Sequence, residues 1–147
     1  MTEATLLRAG ERPVLRFERH LAQPVESVWR AGAQLTHHFD EHDIDPLPGT
    51  VLQWDPPRRV SFTWGTDTIS FELTAAPDGG TIFVLTEELG ASIAARNAAG
   101  WEVCLDRLSH LDPGEPWEPR FARYVAAFEP TLGHQQGPPD GYREPRD

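Results

Sequence analysis

The chain has 147 residues, a formal net charge of −10 and 39% apolar residues. That is enough for one domain hiding roughly two thirds of its unfolded surface, and too little for two well-stabilised ones. The acidic balance argues against a nucleic-acid or anionic-membrane surface, and no apolar run approaches the ~20 residues of a membrane span. All 13 basic residues are arginine, which excludes lysine Schiff-base chemistry, and the single cysteine, Cys104, excludes an internal disulfide or a multi-cysteine zinc site.

The opening "MTEATLLRAGERP" carries acidic residues and lacks the basic end and apolar stretch of a secretory signal. The expected compartment is therefore cytoplasmic, and residues 1–12 are expected to be a flexible leader. From Val14, "VLRFERHL" alternates Leu15, Phe17 and Leu21 against Arg16, Glu18 and His20, the pattern of a half-buried strand. Arg19 interrupts the apolar face and predicts exposure at that end. In "QPVESVWRAGAQL", Pro24 suits a first helical turn and Val25, Val28 and Trp29 share a face, which predicts a helix over about 24–35.

Strand-like runs follow. "TVLQWD" stops at Pro56-Pro57, which cannot continue a ladder, and "RRVSFTWG" sets Val60, Phe62 and Trp64 on one face. "TISFELTA" repeats the arrangement with Ile69, Phe71 and Leu73, and the turn "PDGG" leads into "TIFVLTEE", so the spacing is that of an antiparallel meander. Arg58 and Arg59 read as solvated turn residues paired with acidic neighbours such as Asp55.

Near residue 92 the period changes: Trp101, Cys104, Leu105, Leu108 and Leu111 recur at three and four, predicting a long helix that ends near "DPG". Cys104 on that stripe reads as a buried, inert thiol. Gly100 within the helix costs roughly 1 kcal/mol relative to Ala, which a close approach to the sheet or a frayed start would explain. "EPRFARYVAAF" places Phe121, Val125 and Phe128 on one face of a shorter terminal helix, and residues 130–147 are expected to be a disordered tail.

Three stretches carry a family resemblance: "RFERHLAQPVESVWRA", "GTVLQWDPPRRVSFTWG" and "AAGWEVCLDRLSHL". In this order they resemble the START/Bet v 1 (SRPBCC) superfamily, in the branch of bacterial proteins grouped with the C-terminal domain of the activator of Hsp90 ATPase. The resemblance implies an α+β helix-grip fold, a curved antiparallel sheet wrapped around a long C-terminal helix, over residues 13–129. It departs after the first helix, where "AGAQLTHHFDEHDIDPLPG" replaces a second helix and strand, so the strand region there is expected to be shortened.

That departure contains "HHFDEHDID", three histidines and four carboxylates in nine positions. His38 and His42 would share one side of a helix and Asp45 would complete a two-histidine, one-carboxylate set, yet Phe39 stands where the zinc-protease pattern needs glutamate. Short acidic-histidine runs are ordinarily solvated loops, so neither a metal nor another cofactor is expected.

The leading expectation is a non-enzymatic protein that binds an apolar or amphipathic small molecule between sheet and helix, with Trp29, Trp54, Phe62, Trp64, Phe71, Phe83, Trp101 and Leu105 as its wall. Those same side chains would serve equally as solid core. One alternative is a cyclase- or hydrolase-type enzyme using His37, His38, His42 or Asp40 at the cavity rim. A second, implied by the resemblance, is a stress-response interaction module with a chaperone partner and an acidic rim at 40–45. Oligomeric state is not legible in the residues.

Overall fold

The computed structural model describes residues 4–9, 12–29, 50–109 and 115–137. Six strands, β1 (Thr5–Ala9), β2 (Arg12–Leu21), β3 (Val51–Asp55), β4 (Arg59–Trp64), β5 (Asp67–Ala75) and β6 (Thr81–Glu88), form one curved antiparallel sheet in the order β1-β2-β6-β5-β4-β3. The predicted meander is thus β3 to β6, and β2 closes onto β6 with Leu15 opposite Glu87 and Phe17 opposite Leu85. Helix α1 begins at 25 and is described as far as 29; α2 (Ala94–Leu108) follows a single turn of 3-10 helix, and α3 (Trp117–Leu132) comes last.

Period-2 patterning explains which face the sheet buries. In β6, Thr81, Phe83, Leu85 and Glu87 are all buried, and the alternate residues are half-buried. Leu15, Phe17 and Leu21 of β2 join Leu73, Phe83 and Leu85 under α2 in one core with Val28 of α1. Each fully buried Leu or Phe contributes about 1.5–3 kcal/mol, which holds helix to sheet.

Two turns set the register. Trp64 pairs with Asp67 across the two-residue loop Gly65-Thr66, and Gly65 takes the left-handed backbone (φ 62°) that such hairpins need. In "PDGG", the Asp78 carboxylate accepts a hydrogen bond from the Gly80 amide at 2.9 Å, and a Cβ on Gly80 would stand 2.3 Å from the Leu21 carbonyl oxygen. No side chain fits at Gly80, so "GG" here is a steric requirement of the strand beside it.

The sequence expectations need correction at both ends. Residues 5–9 are not a leader but a strand paired antiparallel to β2, from Thr5 opposite Arg16 to Ala9 opposite Arg12. Residues 130–132 are not tail but helix: α3 has 16 residues against 15 in α2, and Pro130 lies inside it. Its buried face is Trp117, Arg120, Tyr124 and Phe128, whereas Phe121 and Val125 are half-buried, with Phe121 stacked on Trp117 at 4.8 Å. An arginine at the centre of that face broke the apolar count.

Beyond α3, Gln135 fastens the chain to the start of α2. Helix α2 has no capping side chain of its own at Ile93. Gln135 supplies one from 40 residues away: its Oε1 accepts from the Ala95 amide at 2.9 Å while its Nε2 donates to the Ala91 carbonyl at 2.8 Å. A free amide at a helix start costs on the order of 1 kcal/mol, and this buried side chain removes that cost.

Gly100 plays neither role expected of it. It lies in mid-helix, and a Cβ there would meet nothing within 4 Å. Replacing it with alanine therefore keeps every contact while lowering the entropy lost on folding, and Gly100→Ala is expected to raise stability by about 0.5–1 kcal/mol in denaturant unfolding. An unchanged or lower midpoint would show that the glycine is needed for packing after all.

Candidate functional site

The inner face of β4, β5 and β6 is a continuous run of rings. Cross-strand pairing sets Phe62 opposite Ile69, Val60 opposite Phe71 and Leu73 opposite Phe83. Centroid separations are 6.4 Å for Trp64 and Phe62, 5.8 Å for Phe62 and Phe71, 5.7 Å for Phe71 and Phe83, and 5.9 Å for Phe71 and Trp101 of α2. Three of the four are edge-on, the geometry in which one ring's positive edge meets another's negative face. Of the eight predicted wall residues, five thus join one chain of rings.

The other three stand apart. Leu105 is 1% exposed and belongs to the closed core, as does Phe83 at 5%. Trp29 meets Trp54 edge-on at 5.4 Å, and Trp54 is 63% exposed on the edge strand β3. Between these extremes Phe62, Trp64, Phe71 and Trp101 are half-buried. The ring chain therefore runs from solid core toward partly solvated aromatic surface.

A polar group lies beneath this wall. Glu87 occupies an inward position of β6 and is only 2% exposed. From α2, the Trp101 indole Nε1–H donates to Glu87 Oε1 at 3.0 Å and the Asn97 amide donates to Oε2 at 3.3 Å. Burial pushes the Glu87 carboxyl up to about 8, helped by the neighbouring Asp67 carboxylate, which repels the charged form and bonds the acid form; the Trp101 and Asn97 donors pull the other way. Burial therefore favours the protonated form of Glu87 near neutral pH. Asp67, nearly buried, faces Arg12 at 3.4 Å, and Arg12 also donates to the Thr66 carbonyl at 2.6 Å.

Arg19 is buried, in contrast to the exposure expected of it. It enters the interior as the inward residue between Phe17 and Leu21, and its guanidinium stands 3.6 Å from Asp106 of α2 and 5.7 Å from the Phe17 ring centroid. Asp106 also meets Arg120 of α3 at 2.5 Å, Arg120 meets Glu102 at 3.3 Å, and the Tyr124 hydroxyl donates to Glu102 and accepts from the Ala4 amide at 2.9 Å. This network ties β2, α2, α3 and the residue preceding β1 together.

Other candidates resolve simply. Burial raises the Cys104 thiol to about 11, so it is an inert thiol rather than a nucleophile. Arg59 pairs with Glu72 across the sheet at 3.2 Å rather than with Asp55, and Arg58 is exposed. The run 37–45, with His37, His38, Asp40 and His42, lies outside the described residues, as does the shortened strand region expected there. Among the described residues no group of three or more His, Cys, Asp or Glu side chains is placed to hold a metal, and no helix is long and apolar enough to cross a membrane.

Sequence reasoning missed Glu87, Asp67 and Asn97. The signal was present in parity: Glu87 continues Phe83 and Leu85, and Asp67 precedes Ile69 and Phe71, so both carboxylates fall on the apolar face.

Comparison with known proteins bears on the fold. The family model described as "Activator of Hsp90 ATPase homolog 1-like protein" matches residues 16–111. The protein EF2215 from Enterococcus faecalis, of unknown function, superposes with a TM-score of 0.68 at 18% identity, covering 84% of this chain and 89% of that one. CalU16 from Micromonospora echinospora gives 0.63 at 19% identity, with coverage of 88% and 94%. The Aha1 dimer from Colwellia psychrerythraea gives 0.51 at 13% identity, with coverage of 65% and 92%. No curated protein matches the sequence. At these identities the structural likeness carries the fold and nothing finer.

Proposed function

We propose, from the premise that the chain belongs to the activator of Hsp90 ATPase homolog 1-like family, that it binds an apolar or amphipathic small molecule against the aromatic inner face. The half-buried run Trp64, Phe62, Phe71 and Trp101 supports this reading most directly. Rings that are neither closed into the core nor free in solvent gain by burial against a guest, at about 25 cal/mol per Å² of apolar surface covered. Phe83 and Leu105 then form the floor, and the Trp29 and Trp54 pair extends the wall toward β3.

Titration with the neutral apolar probe N-phenyl-naphthylamine tests it. Binding near Trp64 and Trp101 should quench their fluorescence. At a concentration about 100 times its dissociation constant the probe should also raise the melting temperature by roughly 5–10 °C, because it binds the folded state alone. Trp64→Ala should weaken the quenching response. Neither quenching nor a thermal shift at saturating probe would remove the ligand-binding reading.

A second reading, an interaction module with a chaperone partner, is favoured by one observation: the edge strand β3 exposes Val51, Leu52 and Trp54 together. A direct binding measurement with the cell's own Hsp90-type chaperone, using wild type and Trp54→Ala, separates the two. Loss of chaperone binding in the variant supports the module, and retention of probe binding supports the ligand site.

A further inference from the structure

We propose that the guest of the aromatic face carries a cationic head, a quaternary or protonated amine on an apolar body, and that Trp101 and Glu87 together read that charge. This rests on the ligand-binding reading above and supplies the head group it leaves open.

Charge on the wall has one sign. Cross-strand pairing sets Phe62, Ile69 and Glu87 in one inward row and Trp64 opposite Asp67 in the next. Among the described residues, Asp67 and Glu87 are the charged side chains on the inward parity of β4, β5 and β6, and both are nearly closed to solvent. Trp101 joins rings to acid: its ring stands 5.9 Å from Phe71, and its Nε1–H donates to Glu87 Oε1 at 3.0 Å. A cation resting on that indole is attracted by the negative face of the ring and, one side chain further, by the carboxylate.

An anionic head finds no such partner, because the neighbouring cations are committed. Arg12 donates to the Thr66 carbonyl at 2.6 Å and stands 3.4 Å from Asp67 and 3.7 Å from Glu88. Arg59 pairs with Glu72 at 3.2 Å on the outward parity, Arg19 and Arg120 serve Asp106 and Glu102, and Arg96 reaches the Gly137 carbonyl at 3.4 Å. The net charge of −10 draws cations toward the whole surface and repels anions.

Glu87 can take up its charge as the cation arrives. Burial alone favours its acid form, but a cation over the indole supplies the countercharge that burial withholds, and the proton passes to solvent. Its hydrogen bonds need no rearrangement: Trp101 and Asn97, at 3.0 and 3.3 Å, are both donors, and donors tighten on a carboxylate.

Displacement of N-phenyl-naphthylamine at neutral pH by three guests sharing one apolar body, decyltrimethylammonium, decanol and decanoate, each below its micelle concentration, tests the head group. Calorimetry reads the same affinities directly. The ammonium should bind about tenfold or more tighter than the alcohol, with the carboxylate weakest of the three. Glu87→Gln should cut the ammonium-to-alcohol ratio severalfold, and Trp101→Leu, which keeps an apolar contact but loses the ring, should cut it too. Equal affinities, or a preference for decanoate, overturn the cationic head and leave the ligand-binding reading standing. Failure of the probe and of all three guests to bind overturns both. A ratio unchanged in Glu87→Gln overturns the pairing of Trp101 with Glu87; should that variant fail to fold, an unchanged ratio in Trp101→Leu overturns it equally, and the wild-type ranking needs neither variant.

Discussion

Replacing Arg120 with methionine is expected to cost about 3–5 kcal/mol of stability, because it strips the cation from two carboxylates that stay where they are. Arg120 is 1% exposed; it donates to Asp106 and Glu102 and, through Nε, to the Glu115 carbonyl at 2.7 Å. Methionine fills much of the volume, so the loss is electrostatic rather than a cavity. Glu102 would retain Tyr124 and the half-exposed Arg123, and Asp106 would retain Arg19, but neither partner replaces the buried guanidinium. Urea unfolding at constant slope measures the effect. Adding Glu102→Gln to Arg120→Met should recover part of the loss, since an uncharged partner no longer needs the cation. A loss below about 1 kcal/mol in the single variant would mean that the network is solvated and of little consequence.

The second large effect is a fall in stability with rising pH that Glu87→Gln removes. The folded state holds the Glu87 proton up to about 8, against an ordinary value of 4.5 in the unfolded chain. Between those values the folded state binds more protons, so stability declines as pH rises. Glu87's favourable contribution is complete below 4.5, shrinks through the interval and is lost above about 8. The integrated loss is on the order of 3 kcal/mol. Glu87→Gln should match wild type near pH 5 and exceed it by roughly that amount near pH 9. Unfolding free energies at a series of pH values decide it, and parallel profiles for the two proteins would rule the account out. Asp78 runs oppositely, since the Gly80 amide and His20 hold its carboxyl below 3.8, but it is exposed and affects only the acid limb.

Much of the fold was legible as period. The alternation in 14–21, 68–75 and 81–88 was sufficient because those strands turn every second side chain toward the core, whereas in 59–64 Val60, Phe62 and Trp64 are half-buried and Ser61 is the buried residue. The α2 stripe was legible for the same reason at period 3.6, although its first half is lined by Ala94, Ala95, Ala98 and Ala99, residues too small to register as an apolar signal. Failures came where burial rests on partners distant in the chain. Arg19 read as exposed because a lone arginine is costly to bury, and the carboxylate that offsets the cost, Asp106, lies on α2. Residues 5–9 read as a leader because their pairing with β2 leaves only a weak local pattern.

At the candidate site the same division holds. The rings Phe62, Trp64, Phe71 and Trp101 were all expected to share one interior face, and the structure sets Trp101 of α2 at 5.9 Å from Phe71. The two carboxylates were not foreseen: parity places Glu87 with Phe83 and Leu85 and Glu88 on the other face, but a glutamate ending a strand ordinarily belongs to solvent.

Local order in this chain, its strands, turns and helix faces, was written into the spacing of side chains, because backbone geometry converts spacing directly into facing. Charge was decided otherwise. Whether a carboxylate keeps its proton, or an arginine leaves water, depends on the electric field and solvation at one point in space, and that point is assembled from β2, β5, β6, α2 and α3 only when the chain is folded.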